Sequence, residues 1–282
     1  MNRRLCTLLF ALFVTPWLHA QLSGPQGIVF DTAGKLWVAN STANQVQQLD
    51  PSTGAVLATI TDGLNNPSRL AFGPFGYLFV ANTSGNTITV YDSKLNQVAR
   101  KTIASHLSKP TGVAVDAYGD VFISNNASNN IAVFDIDGNF VEALGQDDKG
   151  FAFSAPGAMA IHGTELFIGI GPDAGKNTVE AYNPGQFLIH NPKPRGEFTD
   201  FVNTGPTGVA FDASGNVYVS DFYSNSWVKF SPSGKLLMVV TTGIAQPEGI
   251  SVDQQGNVYV ANSSANTITV YNSQGTLINT LK

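Results

Sequence analysis

The chain has 282 residues, a formal net charge of −5, 43% hydrophobic and only 12% charged residues, and a single cysteine. No cluster of Lys or Arg occurs along it, which excludes a nucleic-acid footprint and argues against attraction to anionic lipid. Asn, Ser, Thr, Gln and Gly carry the polarity, a surface suited to solubility or to hydrogen bonds with a neutral polymer or another protein.

Arg3 and Arg4 precede an apolar run over residues 5–14, followed by Pro16 and a polar junction around Ala20. This reads as an export signal spanning residues 1–20, with the cut after Ala20. The run falls short of the roughly 20 apolar residues of a membrane-spanning helix. Removal of the signal takes away Cys6 and two arginines, leaving 13 basic against 20 acidic residues, a net charge of −7. The mature chain, residues 21–282, is expected to be exported to the periplasm or the medium, with no thiol and no disulfide. It then stands on its core alone, and a chain of this length can bury a large one.

A phrase recurs along the mature chain: WVANSTAN at 37–44, FVANTSGN at 79–86, FISNNASN at 122–129, YVSDFYSN at 218–225 and YVANSSAN at 259–266. A degenerate copy, LFIGIGPDAGKN at 166–177, fills the gap in the series. Self-similarity at roughly 40–50 residues with this much strand signal predicts four-stranded propeller blades. Six are predicted, at residues 24–60, 66–103, 109–145, 155–202, 205–240 and 246–281. The last shows the order within a blade. Residues 249–252 form a short apolar strand ended by Asp253-Gln254-Gln255-Gly256, where Asp caps the turn and Gly supplies positive φ. Residues 257–261 are almost wholly apolar, as a strand covered on both faces must be. A loop at 262–266, an alternating strand at 267–271, a turn at 272–275 and an outer strand at 276–281 complete it. Blade four is expected to be the least regular, because it lacks the D-x-x-G turn and carries a Pro-rich insertion at 184–195.

Three short patterns therefore build each blade: P-x-G before the first strand, D-x-x-G at the first turn, and an aromatic, a β-branched residue, Ala or Ser, and Asn or Asp closing the second strand. In these the chain resembles the NHL-repeat and YVTN-type propellers, from about residue 24 to residue 282. The resemblance implies an all-β, six-bladed β-propeller of four-stranded antiparallel blades. It leaves activity open, since such propellers include enzymes, sensor domains and scaffolds.

In that geometry the starts of the inner strands and the loops between second and third strands share the face around the channel mouth. The middle residue of each P-x-G is expected to line the mouth: Gln26, Ser68, Thr111, Gly157, Thr207 and Glu248. Around it stand Asn40, Asn82, Asn125, Asp221 and Asn262, whose recurrence fits turn capping through nearby backbone amides. Residues that break the pattern point to binding instead. Arg69 sits where four blades have Gly, Glu248 is the charge of the ring, and Asp221, Phe222 and Tyr223 put an acid and two aromatics into a loop of small polar residues. These five are the candidate binding residues, for a protein or polysaccharide ligand recognised by a monomer.

Resemblance to gluconolactonase and SMP-30 propellers implies an alternative, a metal-dependent hydrolase with Glu248, Asp221 and flanking Asn residues as ligands. The ring offers one carboxylate where a hard cation prefers several anionic oxygens, so neither metal nor cofactor is expected. Streptogramin-lyase-like propellers use paired His with Glu, a set not visible at the ring. His106 reads as a loop residue, while His162 and His190 fall toward the opposite face. Neither a G-x-S-x-G elbow, a phosphate-cradling loop nor a Ser/His/Asp set is present, and no catalytic residue is assigned.

Overall fold

The computed structural model describes residues 21–145, 153, 155–171, 178–183, 196–198 and 205–282. Residues 1–20, read above as an export signal, the insertion at 184–195 and His190 lie outside the described residues. Six antiparallel sheets, each a meander of consecutive strands, form a six-bladed propeller. In blade 6 the strands are Pro247–Val252, Val258–Asn262, Thr267–Tyr271 and Leu277–Leu281, running from the channel outward. The second strand is buried along its whole length while the outer one is exposed at three of five residues, which explains the drop in apolar content outward.

The core lies between blades rather than within them. Six buried clusters are found among the described residues, each combining side chains of two neighbouring blades. One joins Leu22, Ile28, Leu36 and Val38 of the first blade to Tyr259, Ile268, Val270 and Leu281 of the last, so the ring closes by packing without exchange of a strand.

Register shifts at the P-x-G of every inner strand, a bulge that brings adjacent inner strands into backbone contact. Glycine there answers a steric demand. A Cβ on Gly112 would overlap the carbonyl oxygen of Gly157 in the next blade. The middle residue of the motif serves the same seam. Thr111 donates to the Pro156 carbonyl at 3.0 Å and Thr207 to the Pro247 carbonyl at 2.7 Å, each reaching the following blade. Ser68, at 3% exposure, faces the Pro110 carbonyl at 3.5 Å. The expectation that these positions line the mouth is corrected for Ser68, which is buried in the seam, while the half-buried Thr111 and Thr207 commit their hydroxyls to a neighbour's backbone.

The Asn-x3-Asn loops work as clasps. The first Asn is buried and its Oδ1 accepts an amide of the link entering its own blade: Asn40 from Ser23 at 3.3 Å, Asn82 from Asn65 at 3.1 Å, Asn125 from Ser108 at 3.0 Å, Asn262 from Ala245 at 3.0 Å. The second Asn reaches the next blade. Asn44 accepts from Asn66 at 2.8 Å, Asn86 from Lys109 at 2.7 Å and Asn225 from Gln246 at 2.7 Å. Asn266 accepts from Gly24 at 2.7 Å and so ties the last blade to the first. Each of these second asparagines has a left-handed backbone, φ between 48° and 55°, which Asn tolerates better than most residues. Asn266→Ala removes both the bond and that tolerance and should lower unfolding free energy by about 2 kcal/mol. Asn266→Gly keeps the backbone and should cost about half as much. Urea unfolding checks the order of the two; equal losses would mean that the left-handed backbone contributes nothing and the bond carries the whole effect.

Blade 2 lacks a fourth strand among the described residues. Its sheet has three strands, Pro67–Phe72, Leu78–Asn82 and Thr87–Tyr91, followed by two single bridges at Gln97 and Ile103. Between the bridges lies a short 3₁₀ turn, Ala99–Lys101. Lys101 explains the break. It is buried, its ammonium bonds the Ile136 carbonyl at 2.8 Å and the Asp137 carboxylate at 2.7 Å, and it lies over the Tyr77 ring. Seating that charge in blade 3 draws the segment out of register.

Candidate functional site

The channel is a cavity of about 330 Å³ walled by the inner strands, including Ile28, Leu70, Val113, Met159, Val209 and Ile250. Arg69 crosses its mouth. The position it occupies is the third of P-x-G, where four other blades have Gly. Its Nη2 donates to the Thr207 carbonyl at 2.7 Å and to Glu248 Oε2 at 3.0 Å, and its Nη1 to the Ser68 carbonyl at 2.8 Å. The guanidinium thus links blade 2 to blades 5 and 6. Both side chains are largely sequestered, 13% exposed for Arg69 and 18% for Glu248, and Arg69 Nε is buried without a hydrogen-bond partner.

The other three candidates share one loop of blade 5. Asp221 is 1% exposed and accepts from the Gly205 and Ser224 amides at 3.2 Å each, and from the Ser224 hydroxyl at 2.8 Å. It does the work that Asn does in the other blades, because a carboxylate accepts the same amides. Phe222 is half-buried, anchored by its amide to the Gly205 carbonyl at 3.0 Å, with its ring edge-on to Tyr223 at 5.3 Å. Tyr223 stands out at 65% exposure, its ring lying over Gly205. The two groups are linked through Thr207, which meets Arg69 through its carbonyl and Ser220, one residue before Asp221, through its hydroxyl.

The residues at the mouth do not fit a hard cation. Glu248 is held by a guanidinium, Asp221 is spent on amides, and the flanking Asn side chains are buried in their own loops. Among the described residues no group of three or more His, Cys, Asp or Glu could hold a metal ion. His106 stacks on Phe140 at 3.9 Å, and His162 stacks on Phe211 at 4.7 Å at the far end of the channel.

That far face carries the first turns of the blades, and their acids are structural. In blade 1 burial pushes Asp31 up, but donors from the Trp37 indole, the Lys35 amide, Gln48 and the Ala33 amide outweigh it and hold the carboxyl below its ordinary value. In blade 5 Asp212 is likewise held low, with the Tyr218 hydroxyl at 3.0 Å and the Lys229 ammonium at 3.3 Å. Two residues there escaped the sequence reading: Phe75 and Tyr118, at the turns of blades 2 and 3. The signal was an aromatic in a turn position that other blades fill with Ala, Ser or Gln.

The NHL repeat pattern matches residues 203–229 and 245–271, within the last two blades. A 50-residue stretch is 40% identical to the PE-PGRS family protein PE_PGRS18 of Mycobacterium tuberculosis, spanning 18% of this chain and 11% of that protein. Among solved structures, a streptogramin B lyase superposes with a TM-score of 0.69 at 18% identity, over 94% of this chain and 85% of that one. A catalytically inactive virginiamycin B lyase from Staphylococcus aureus, with quinupristin, gives a TM-score of 0.67 at 18% identity, over 94% and 86% of the two chains. At that identity the likeness is one of fold.

Proposed function

We propose that this NHL-repeat β-propeller is an exported binding or scaffold module, which recognises a protein or polymer ligand on its channel-mouth face. The observation that carries the reading is the Arg69–Glu248 bar beside the exposed Tyr223 loop. A mouth already crossed by a hydrogen-bonded guanidinium presents a rigid rim, and an exposed aromatic such as Tyr223 on a rigid surface is the kind of side chain that dominates binding energy. The metal-dependent hydrolase alternative requires Glu248 as a free ligand, and Arg69 holds it.

Two measurements separate the readings. Dialysis against chelator should leave the melting temperature of the mature chain unchanged, and lactones should not be turned over with or without divalent cations. A drop restored by calcium or zinc would move the assignment to the hydrolase, because a metal bound to the native state raises stability by mass action. Tyr223→Ala should then reduce capture of partners from an envelope extract by about tenfold, while the melting temperature holds. Undiminished capture by that variant would remove the mouth face from the reading.

A further inference from the structure

The turns at the far end of the channel are built to one plan, and two of them depart from it. Phe75 is 89% exposed and Tyr118 is 88% exposed, far beyond any other large apolar or aromatic side chain among the described residues. They hold the same turn position in consecutive blades, where blades 1, 5 and 6 place Ala33, Ser214 and Gln255. The two turns adjoin: a Cβ on Gly73 would stand 3.0 Å from Val115, the last residue of blade 3's inner strand. Phe75 also has a left-handed backbone, φ 62° and ψ 16°, where a bulky residue is a genuine outlier. Its exposed ring gains no packing in return. Strain kept without a folding benefit points to a use outside the fold.

The surroundings are acidic. Asp116 caps the turn, accepting from the Tyr118 and Asp120 amides at 2.9 Å each. Burial raises the pKa of Asp120 above its ordinary value, and the charges of Asp116 and Asp135 raise it further, so negative potential accumulates here. Gly76, next to Phe75, lies against Ser93, beside the half-buried Asp92. The Lys101 ammonium is taken by Asp137 and the Ile136 carbonyl. Two open aromatic faces in a field of carboxylates match one chemistry best, a cation with a flat or extended side chain. A neutral sugar gains nothing from that field, and an anionic polymer is repelled by it.

We propose that Phe75 and Tyr118 form a second docking surface, opposite the channel mouth, for a cationic segment of a partner protein. Its Arg or Lys side chains lie over the two rings, with Asp116, Asp120 and Asp135 supplying the complementary charge. The surface is independent of the mouth and stands whether or not Tyr223 binds anything.

The test uses the whole mature chain and a labelled peptide of alternating Arg and Gly, read by fluorescence anisotropy. Its Glu-Gly counterpart and a neutral glucan oligomer are run beside it. Phe75→Asn and Tyr118→Ser install side chains suited to these turns, so the fold is kept, and Phe75→Asn should melt no lower than the parent because Asn accepts the left-handed backbone. The Arg-Gly peptide should bind, more weakly in raised salt, and the double variant should lose about tenfold in affinity. Tyr223→Ala should leave that affinity unchanged. Undiminished binding by the double variant would reduce the effect to general attraction toward an acidic chain and overturn the proposal. So would no binding of the Arg-Gly peptide, glucan binding that depends on the two rings, or self-association that they control.

Discussion

Alanine at Gly249 should lower the unfolding free energy by about 3 kcal/mol, more than a methyl group added at an open glycine could. The added Cβ would overlap the Gln26 carbonyl oxygen and stand 3.0 Å from the Ile28 amide nitrogen. Both atoms belong to the backbone of blade 1, so no side chain can rotate out of the way. Relief requires the first and last blades to part, which strains the cluster around Leu22, Tyr259 and Leu281 and the Gly24–Asn266 bond. Two controls bracket the effect. Gly145 has no neighbour near its Cβ position and an ordinary backbone, so alanine there should be neutral. Gly34 also has open space but φ of 75°, so alanine should cost about 1 kcal/mol through the backbone alone. Urea midpoints at constant m-value measure all three. Gly249→Ala behaving like Gly145→Ala would show that the closing seam is loosely packed and that ring closure rests elsewhere.

Much of this architecture is written locally. The D-x-x-G turn uses bonds within a few residues, and the recurrence of P-x-G, D-x-x-G and the Asn-x3-Asn loop along the chain predicts six blades and their limits. What is not legible is where each motif points. The first Asn of a clasp bonds a link 17 residues away, which turn chemistry alone anticipates poorly, and Asn266 meets Gly24 across 242 positions of sequence. Arg69 and Glu248 both stand out as exceptions, yet nothing local says that they pair, since 179 residues separate them. Asp221 stands out as well. Its acidity marked it as different, but its geometry is that of the asparagines it replaces. Blade 2 lost its outer strand to one buried lysine whose partners, Ile136 and Asp137, lie in the next blade. Phe75 and Tyr118 were passed over because the middle positions of a turn carry no structural rule to break.

Removing the Arg69 guanidinium should destabilise the fold by about 2 kcal/mol, and removing Glu248 with it should restore part of the loss. The pair is neither surface-exposed nor fully dry, at 13% and 18% exposure, so its rupture falls below the several kcal/mol of a deeply buried pair. Arg69→Ala strands the Glu248 carboxylate near the Thr207 carbonyl with no counter-charge, and frees the Ser68 and Thr207 carbonyls that the guanidinium had satisfied. In Arg69→Met/Glu248→Leu neither charge is left unpaired, and the apolar chains fill the mouth that the bar had closed. A double-mutant cycle should therefore give a coupling energy of about 1–2 kcal/mol. Arg69→Lys should fall between the parent and Arg69→Ala, because an ammonium cannot present two nitrogens in a fixed fork to three acceptors on three blades. Strict additivity of the single variants would mean that the bar spans the mouth without joining its two sides, and Arg69 would then be a side chain available to a ligand rather than a brace for the rim.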